Sequence, residues 1–350
     1  ARPASPVVTR RPVMFAVHAA RASSWPALDW GAWAVIAAYA VLVLAMAFGP
    51  HTVGDIFTET DFYGSYGPGA RMLQHGHIEA SRYGVVGPLF EMLVALVGFL
   101  VHDLFLAAEL IAAAAMIATL VCWKSLLARR TGPAVALLAV VFLASNAQFF
   151  RYAWSVTTDA PALAFQAAAL WALFGMRDGN AAPRRVFAGG ALAGLAFLTR
   201  YSSVALLPAG LVAVALGWSG APAGARARAA LLYAAGFLAL VAPWLAFSLT
   251  HGGATRFQLQ HNIAFEVFAR PKGIVWDLYE RDMEPQFPTL WSVIARDPAA
   301  VATRMLFNVF DHLRLDAIKL TGLPLALAAA AGTWFAWRDG LLARTKPLLG

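Results

Sequence analysis

Long apolar runs dominate the chain, and short segments with most of the charged residues separate them. Runs of about 15–20 apolar residues are typical of helices that cross a lipid bilayer. Allowing a few residues at each edge, the pattern predicts eight spans: Gly31–Phe48, Leu104–Trp123, Pro133–Phe150, Ala160–Met176, Val186–Thr199, Val204–Trp218, Ala230–Thr250 and Leu320–Trp337. The predicted fold class is therefore all-α, a polytopic bundle of transmembrane helices.

Basic residues collect in alternate segments between the spans. The N-terminal tail, the loops near residues 124–132, 177–185 and 226–228, and the segment after the last span hold 15 basic and three acidic residues. The rest of the chain holds 12 basic and 16 acidic residues. Because basic loops stay in the cytoplasm, we expect the N-terminus there and the mildly acidic loops outside, as in a bacterial inner (plasma) membrane protein. The net charge of +8 then needs no nucleic-acid partner.

The sidedness of the loops constrains the segment Tyr83–Val101. The chain must cross the membrane an odd number of times between an outer Asp61 and a cytoplasmic Lys124, yet two apolar segments lie there. Tyr83–Val101 contains Pro88, Glu91 and several glycines, which suit a lipid-facing helix poorly. We predict that it re-enters the membrane or lies on its outer surface.

The spans divide the chain into four parts. Residues 1–30 are interpreted as a cytoplasmic tail rather than a cleaved signal peptide, because no apolar core precedes Gly31. Residues 31–250 form the transmembrane module with an outer loop at 49–103, residues 251–319 form a second outer loop, and residues 320–350 hold the last span and a cytoplasmic end. Within the second loop, Trp291–Leu320 predicts an amphipathic helix with Leu306, Phe310 and Leu313 as its apolar stripe. A chain that begins at Ala1 leaves a fragment or a processed form open.

The polar stretch Gly54–Leu89 is the first candidate for chemistry. It carries the carboxylates of Glu59 and Asp61 next to a predicted span, and a loop of this length is seldom an idle connector. A carboxylate there can act as a general base toward a hydroxyl group. The alternative is that both are solvated loop acids.

A resemblance adds to this interpretation. Residues 61–76 read D-F-Y-x-x-Y-x-x-x-A-x-x-L-x-x-G and are followed by Gly87-Pro88-Leu89. This run resembles the first outer loop of the GT-C superfamily of glycosyltransferases, polytopic enzymes that use polyprenyl-phosphate sugars. Arg151-Tyr152 with Thr158-Asp159-x-Pro161, Phe197–Ser202, and Pro243-Trp244 with His251-Gly252-Gly253 resemble later parts of the same pattern.

The resemblance implies a membrane glycosyltransferase that moves a sugar from a polyprenyl-phosphate lipid to a hydroxyl acceptor at the outer face, with inversion. It assigns the catalytic base to Asp61 and an accessory acidic role to Asp159, which could instead cap a helix opened by Pro161. Arg200, with Arg256 or Lys272, would stabilise the lipid phosphate, although basic residues at an interface also snorkel. Tyr63 and Tyr201 are candidates for substrate contacts.

No metal or cofactor is implied. His75 and His77 are two residues apart and do not share a helical face, and Cys122 is the single cysteine. Glu91 and Glu109 lie in apolar segments and require partners that the sequence does not identify.

Two other classes stay open. Phe62 stands where many relatives have an acid, and the chain is shorter than most of them, which favours a non-catalytic GT-C-like subunit of a larger membrane complex. A transporter is the third class, but no span shows paired broken helices.

Overall fold

The computed structural model describes residues 25–49, 59–174, 182–217, 222–253 and 259–338, and all regular secondary structure in these ranges is helical. This confirms the predicted all-α class. The α-helices longer than one turn are α1 (Trp25–Phe48), α2 (Gly67–Gln74), α3 (Leu89–Val101), α4 (Leu104–Arg130), α5 (Pro133–Ser145), α6 (Ala147–Tyr152), α7 (Asp159–Phe174), α8 (Pro183–Thr199), α9 (Leu206–Gly217), α10 (Ala223–Thr250), α11 (Leu259–Ala264), α12 (Trp276–Asp282), α13 (Leu290–Arg296), α14 (Pro298–Leu315) and α15 (Leu323–Arg338).

Each predicted span corresponds to a helix, but the helices differ in length. By length and composition, α1, α4 and α10 can each cross a membrane. The segments 298–320 and 323–335 would add a fourth crossing if they act as one span, although a bend of 115° separates them. The other apolar helices have 12 to 17 residues, so they rise about 18–26 Å against a hydrocarbon core of about 30 Å. The number of spans therefore stays a prediction.

One predicted span is interrupted. Pro133–Phe150 was expected to be continuous, whereas α5 ends at Ser145 and α6 begins at Ala147. The side chain of Asn146 accepts a hydrogen bond from the backbone N–H of Phe149 at 2.9 Å. Asn146 is thus the N-cap of a new helix, and an N-cap residue adopts a non-helical backbone conformation that ends the preceding helix.

The bundle is built by successive pairs of neighbouring helices. Helix α1 packs on α4 and α5, α4 packs on α7, α7 on α8, and α8 on α10. A core cluster between α8 and α10 contains Phe197, Tyr233 and Phe237, and another between α1 and α4 contains Tyr39 and Met116. The start of α7 and the end of α8 are thereby held side by side.

Helix α3 is short and packed into the protein. It has 13 residues, which is about 20 Å of helix; helices of nearly the same length occur among the predicted spans, so the prediction that this segment does not cross the membrane stays a prediction. The carboxylate of Glu91 in α3 is buried, accepts a 2.6 Å hydrogen bond from the Tyr83 hydroxyl, and lies 3.7 Å from the Arg82 guanidinium. These are the partners that the buried acid requires. A β-carbon at Gly69 would lie 1.9 Å from Glu91 Oε2, so the backbone of α2 approaches this carboxylate very closely.

Gly87, in the predicted first outer loop, packs closely against the end of α8. A β-carbon on Gly87 would lie 1.8 Å from the backbone oxygen of Leu198. We expect Gly87→Ala to lower the free energy of unfolding by about 1–3 kcal/mol, because backbone and not a mobile side chain would have to move. Thermal unfolding of the purified protein in detergent measures this.

The control for Gly87→Ala is Gly64→Ala in the same loop, where nothing lies within 4 Å of the added carbon. Equal unfolding temperatures for the two variants would contradict the close approach of the loop and α8.

The described part of the second outer loop folds around its own core. Ala264, Tyr279, Phe287 and Val293 are buried together there, and Glu266 pairs with both Arg270 and Arg304. The predicted amphipathic helix exists as α13 and α14, separated at Asp297. The three side chains of the predicted stripe on α14 are largely exposed: Leu306 (65%), Phe310 (69%) and Leu313 (62%).

Candidate functional site

Asp61 is held at the start of a continuous helical segment. The turn Glu59–Asp61 runs directly into a π-helix, Phe62–Tyr66, and then into α2. Two rings of the π-helix are buried: Phe62 packs edge-on against Phe105 and Tyr66 packs edge-on against Phe90. Single π-helical turns are rare and frequently occur at functional sites. The exposed Asp61 carboxylate therefore belongs to a segment that two buried aromatic rings hold in place.

The burial of Phe62 explains its difference from the GT-C pattern. Only 3% of Phe62 is exposed, and its ring belongs to a core cluster with Val94 and Ala108. A charged residue at this position would need a partner in an apolar site. Phe62 is thus an anchor for Asp61 in this chain.

Asp159 and Arg200 form an ion pair where α7 begins and α8 ends. Asp159 Oδ1 lies 2.6 Å from Arg200 Nη1. The other carboxylate oxygen, Oδ2, accepts a hydrogen bond from the Thr157 hydroxyl at 3.0 Å. Arg200 also donates to the Thr158 hydroxyl at 3.5 Å. Both side chains of the pair are about 40% exposed (39% and 43%), so the pair is open to a ligand.

Tyr66 connects this ion pair with the first outer loop. Its buried hydroxyl group lies close enough to Thr158, Asp61, Asp159 and Arg200 for all four side chains to influence it. Burial, reinforced by the nearby Asp61 carboxylate, raises the pKa of Tyr66 to about 12. Tyr66 therefore remains a neutral hydroxyl at physiological pH, and Asp61, Asp159 and Arg200 all lie near enough to act on it electrostatically.

A cavity of about 480 Å³ opens beside the ion pair. Its polar wall contains Asp159, Arg200, Gln166 and Ser202. The remaining wall is mainly apolar and includes Met116, Phe142, Leu143, Phe149 and Leu163. The turn after α14, at Leu320 and Thr321, closes one side, and Asn146 donates a hydrogen bond to the backbone oxygen of Leu320. The cavity thus combines a charged wall with a mainly apolar one.

The structure separates the predicted site residues into two groups. Asp61, Asp159 and Arg200 are brought together. Tyr201 is not exposed toward the cavity: its hydroxyl donates to the Tyr83 backbone oxygen at 2.9 Å and accepts from Trp244 Nε1 at 3.3 Å. The Tyr201 hydroxyl thus links α10 to the segment that contains Tyr83, and its predicted substrate contact stays a prediction.

The other predicted residues lie elsewhere. Tyr63 is half-exposed and lines a second cavity. Lys272 is exposed in a short 3₁₀ turn, Arg270–Lys272, and does not line the 480 Å³ cavity. Arg256 and the side chain of Glu59 lie outside the described residues, so their predicted roles stay predictions. No group of three or more potential metal ligands occurs in the described ranges.

Sequence reasoning noted Tyr66 only as a neighbour of Asp61 and did not give Thr158 a separate role. Tyr66 follows Asp61 by five residues and ends the π-helical segment that begins directly after Asp61. No local sequence pattern predicts a π-helix. Tyr66 and Thr158 are more than 90 residues apart in the sequence, so their proximity was not predictable from it. The alternative role of Asp159 as a helix cap is not what its described contacts support, because they go to Thr157 and Arg200.

Comparison with known proteins gives one family match. Residues 85–247 match the family described as dolichyl-phosphate-mannose-protein mannosyltransferase. The match includes Asp159 and Arg200, while Asp61 precedes it. It confirms the resemblance of the chain to glycosyltransferases of the GT-C superfamily.

Among solved structures, the chain is similar to the S. cerevisiae protein O-mannosyltransferase Pmt1-Pmt2 complex bound to the sugar donor. The identity is 20% and the TM-score is 0.48, with 63% of this chain and 33% of that chain covered. The chain thus spans about a third of the length of the chain it matches. No curated protein matches the sequence.

Proposed function

We propose that this chain, which resembles the GT-C superfamily, is a membrane glycosyltransferase using a polyprenyl-phosphate-linked sugar. The acceptor would be a hydroxyl group at the outer face of the inner membrane. One observation carries the proposal: the half-exposed Asp159–Arg200 ion pair lines a cavity whose other walls are mainly apolar. A lipid phosphate requires this combination of a cation and an apolar environment.

The donor lipid would use both parts of the cavity. The guanidinium of Arg200 can bind phosphate oxygens through charge-assisted hydrogen bonds. The ion pair with Asp159 holds this guanidinium in one orientation before the donor arrives. The apolar wall around Phe142 and Leu163 would contact the first isoprene units. Arg200 would also stabilise the negative charge that grows on the leaving phosphate.

The chemical step requires one base and one leaving group. Asp61 would take the proton of the acceptor hydroxyl as its oxygen attacks the anomeric carbon. The new bond forms on the face opposite the phosphate, the bond from the anomeric carbon to the phosphate oxygen breaks, and both of its electrons leave with the polyprenyl phosphate. Attack from the opposite face inverts the anomeric centre. Tyr66, as a neutral hydroxyl, can donate a hydrogen bond near Asp61 and orient the carboxylate.

Transfer from a panel of polyprenyl-phosphate sugars to membrane extracts tests the proposal. The wild-type protein is expected to bind at least one donor and to transfer its sugar. If it transfers nothing and binds no donor, the catalytic proposal is wrong. Stoichiometric co-purification with other membrane proteins would then indicate a non-catalytic subunit of a larger complex.

The orientation of the chain gives a separate prediction. In a Cys122→Ala background, a cysteine at position 65 should react with an impermeant reagent in intact cells, whereas a cysteine at position 180 should react only after lysis. The reason is the excess of basic residues around position 180. External labelling at position 180 would contradict the arrangement.

A further inference from the structure

A second cavity is lined in part by the helical segment that follows Asp61. It has a volume of about 420 Å³, within the range of small-ligand sites. Phe62 and Tyr63 of the π-helix form one wall, and Leu104 and Phe105 at the start of α4 form another. The cavity therefore begins one residue after the proposed base, and it shares no lining residue with the 480 Å³ cavity.

An aromatic platform forms part of the second cavity. The ring of Tyr63 lies parallel to that of Phe105, with centroids 6.1 Å apart and an angle of 11° between the planes. Phe62 packs edge-on against Tyr63 at 5.2 Å. Tyr63 is nevertheless 48% exposed. The platform thus presents a flat, fixed ring to whatever fills the cavity.

Two opposite charges complete the wall. Arg71 on α2 is exposed. Asp103 is the N-cap of α4, and its Oδ1 accepts hydrogen bonds from the backbone N–H groups of Phe105 and Leu106 at 2.8 and 3.2 Å. These two bonds fix the carboxylate in place and leave its Oδ2 directed to other donors. The wall therefore offers a fixed carboxylate acceptor and an exposed guanidinium donor with no net charge.

We propose that this second cavity binds the acceptor, and that the acceptor is a neutral carbohydrate whose pyranose ring stacks on Tyr63. The proposal rests on the proposed function. The C–H groups on one face of a pyranose are apolar and weakly positive, which suits the negative face of an aromatic ring. The hydroxyl groups of a pyranose can donate hydrogen bonds to the Asp103 carboxylate and accept them from the Arg71 guanidinium.

The charge balance separates this cavity from the donor site. An anionic ligand would meet the carboxylate of Asp103, and a cationic ligand would meet Arg71, so neither charge is favoured. The lining of the 480 Å³ cavity is mainly aliphatic and aromatic apart from its polar wall, whereas Phe62, Tyr63 and Phe105 with two charged residues dominate the lining here. A hydroxyl group on a sugar stacked at Tyr63 would lie next to the segment that carries Asp61.

Ligand-observed saturation-transfer NMR on the purified protein tests the proposal. The probes are mannotriose, cellotriose, maltotriose and a serine-containing hexapeptide. We expect at least one trisaccharide to bind, with its affinity reduced about tenfold in Tyr63→Ala and retained in Tyr63→Phe, which keeps the ring. Binding of a radiolabelled polyprenyl phosphate is measured in parallel and should be the same in all three proteins.

Each outcome decides the proposal. If polyprenyl phosphate binds but no trisaccharide does, or if Tyr63→Ala binds the sugar as well as the wild type, the acceptor assignment is wrong while the proposed function stands. Binding of the hexapeptide alone, with loss in Tyr63→Ala, would also overturn the carbohydrate class. If neither the lipid nor any acceptor binds, the proposed function fails as well.

Discussion

Asp61→Asn is expected to reduce sugar transfer about 10²–10⁴-fold, the usual contribution of a general base. The amide keeps the size of the side chain but cannot take the acceptor proton. Because Asp61 is exposed and its segment is anchored by Phe62 and Tyr66, the unfolding temperature should change little. The measurement is initial rate with a saturating polyprenyl-phosphate sugar, together with thermal unfolding in detergent.

A suitable control for Asp61→Asn is Asp277→Asn, an exposed acid in the first turn of α12. It should leave transfer unchanged. Full activity of Asp61→Asn would assign the base to another carboxylate, with Asp159 and Glu59 as the next candidates.

Arg200→Ala is expected to weaken use of the donor about ten- to a hundredfold, mainly as an increase in the KM for the polyprenyl-phosphate sugar. A hydrogen bond to a charged group contributes about 1.5–3 kcal/mol, and each 1.4 kcal/mol corresponds to a factor of ten. The change also leaves the Asp159 carboxylate without its cation. Arg200→Lys should retain part of the activity, because a point charge still meets the phosphate but not in a bidentate geometry.

The matched control for Arg200→Ala is Arg281→Ala, which removes an exposed arginine that also pairs with an acid, Asp282. Its KM for the donor should equal that of the wild type. A wild-type KM in Arg200→Ala would exclude Arg200 from phosphate binding.

The positions of the helices were largely predictable because burial in lipid requires long apolar runs. Helix α8 begins three residues before its predicted start at Val186 and ends at the predicted Thr199. The interruption at Asn146 was not predicted, because a few polar residues within a long apolar run do not by themselves end a helix and the break depends on one side-chain hydrogen bond. Several helices are also shorter than a full bilayer crossing. Their ends depend on the positions of capping residues, which hydrophobicity alone does not determine.

The site was predictable only in part. Asp61, Asp159 and Arg200 could be selected because polar residues between apolar runs are conspicuous. Their meeting point at Tyr66 depends on a π-helix and on the contact between two distant loops, and neither has a local sequence signature. The burial of the Tyr201 hydroxyl was not predictable either, because its hydrogen-bond partners, Tyr83 and Trp244, are distant in the sequence.

The contact between Gly69 and Glu91 has a consequence for how this protein can vary among its homologues. Any side chain at position 69 would overlap the carboxylate of Glu91, and this carboxylate cannot turn away without breaking its bonds to Tyr83 and Arg82. A substitution at Gly69 is therefore tolerated only together with a shorter residue at position 91. In an alignment, the two positions should change as a pair: an alanine or serine at 69 should accompany the loss of the glutamate, and a glutamate at 91 should be found only with glycine at 69.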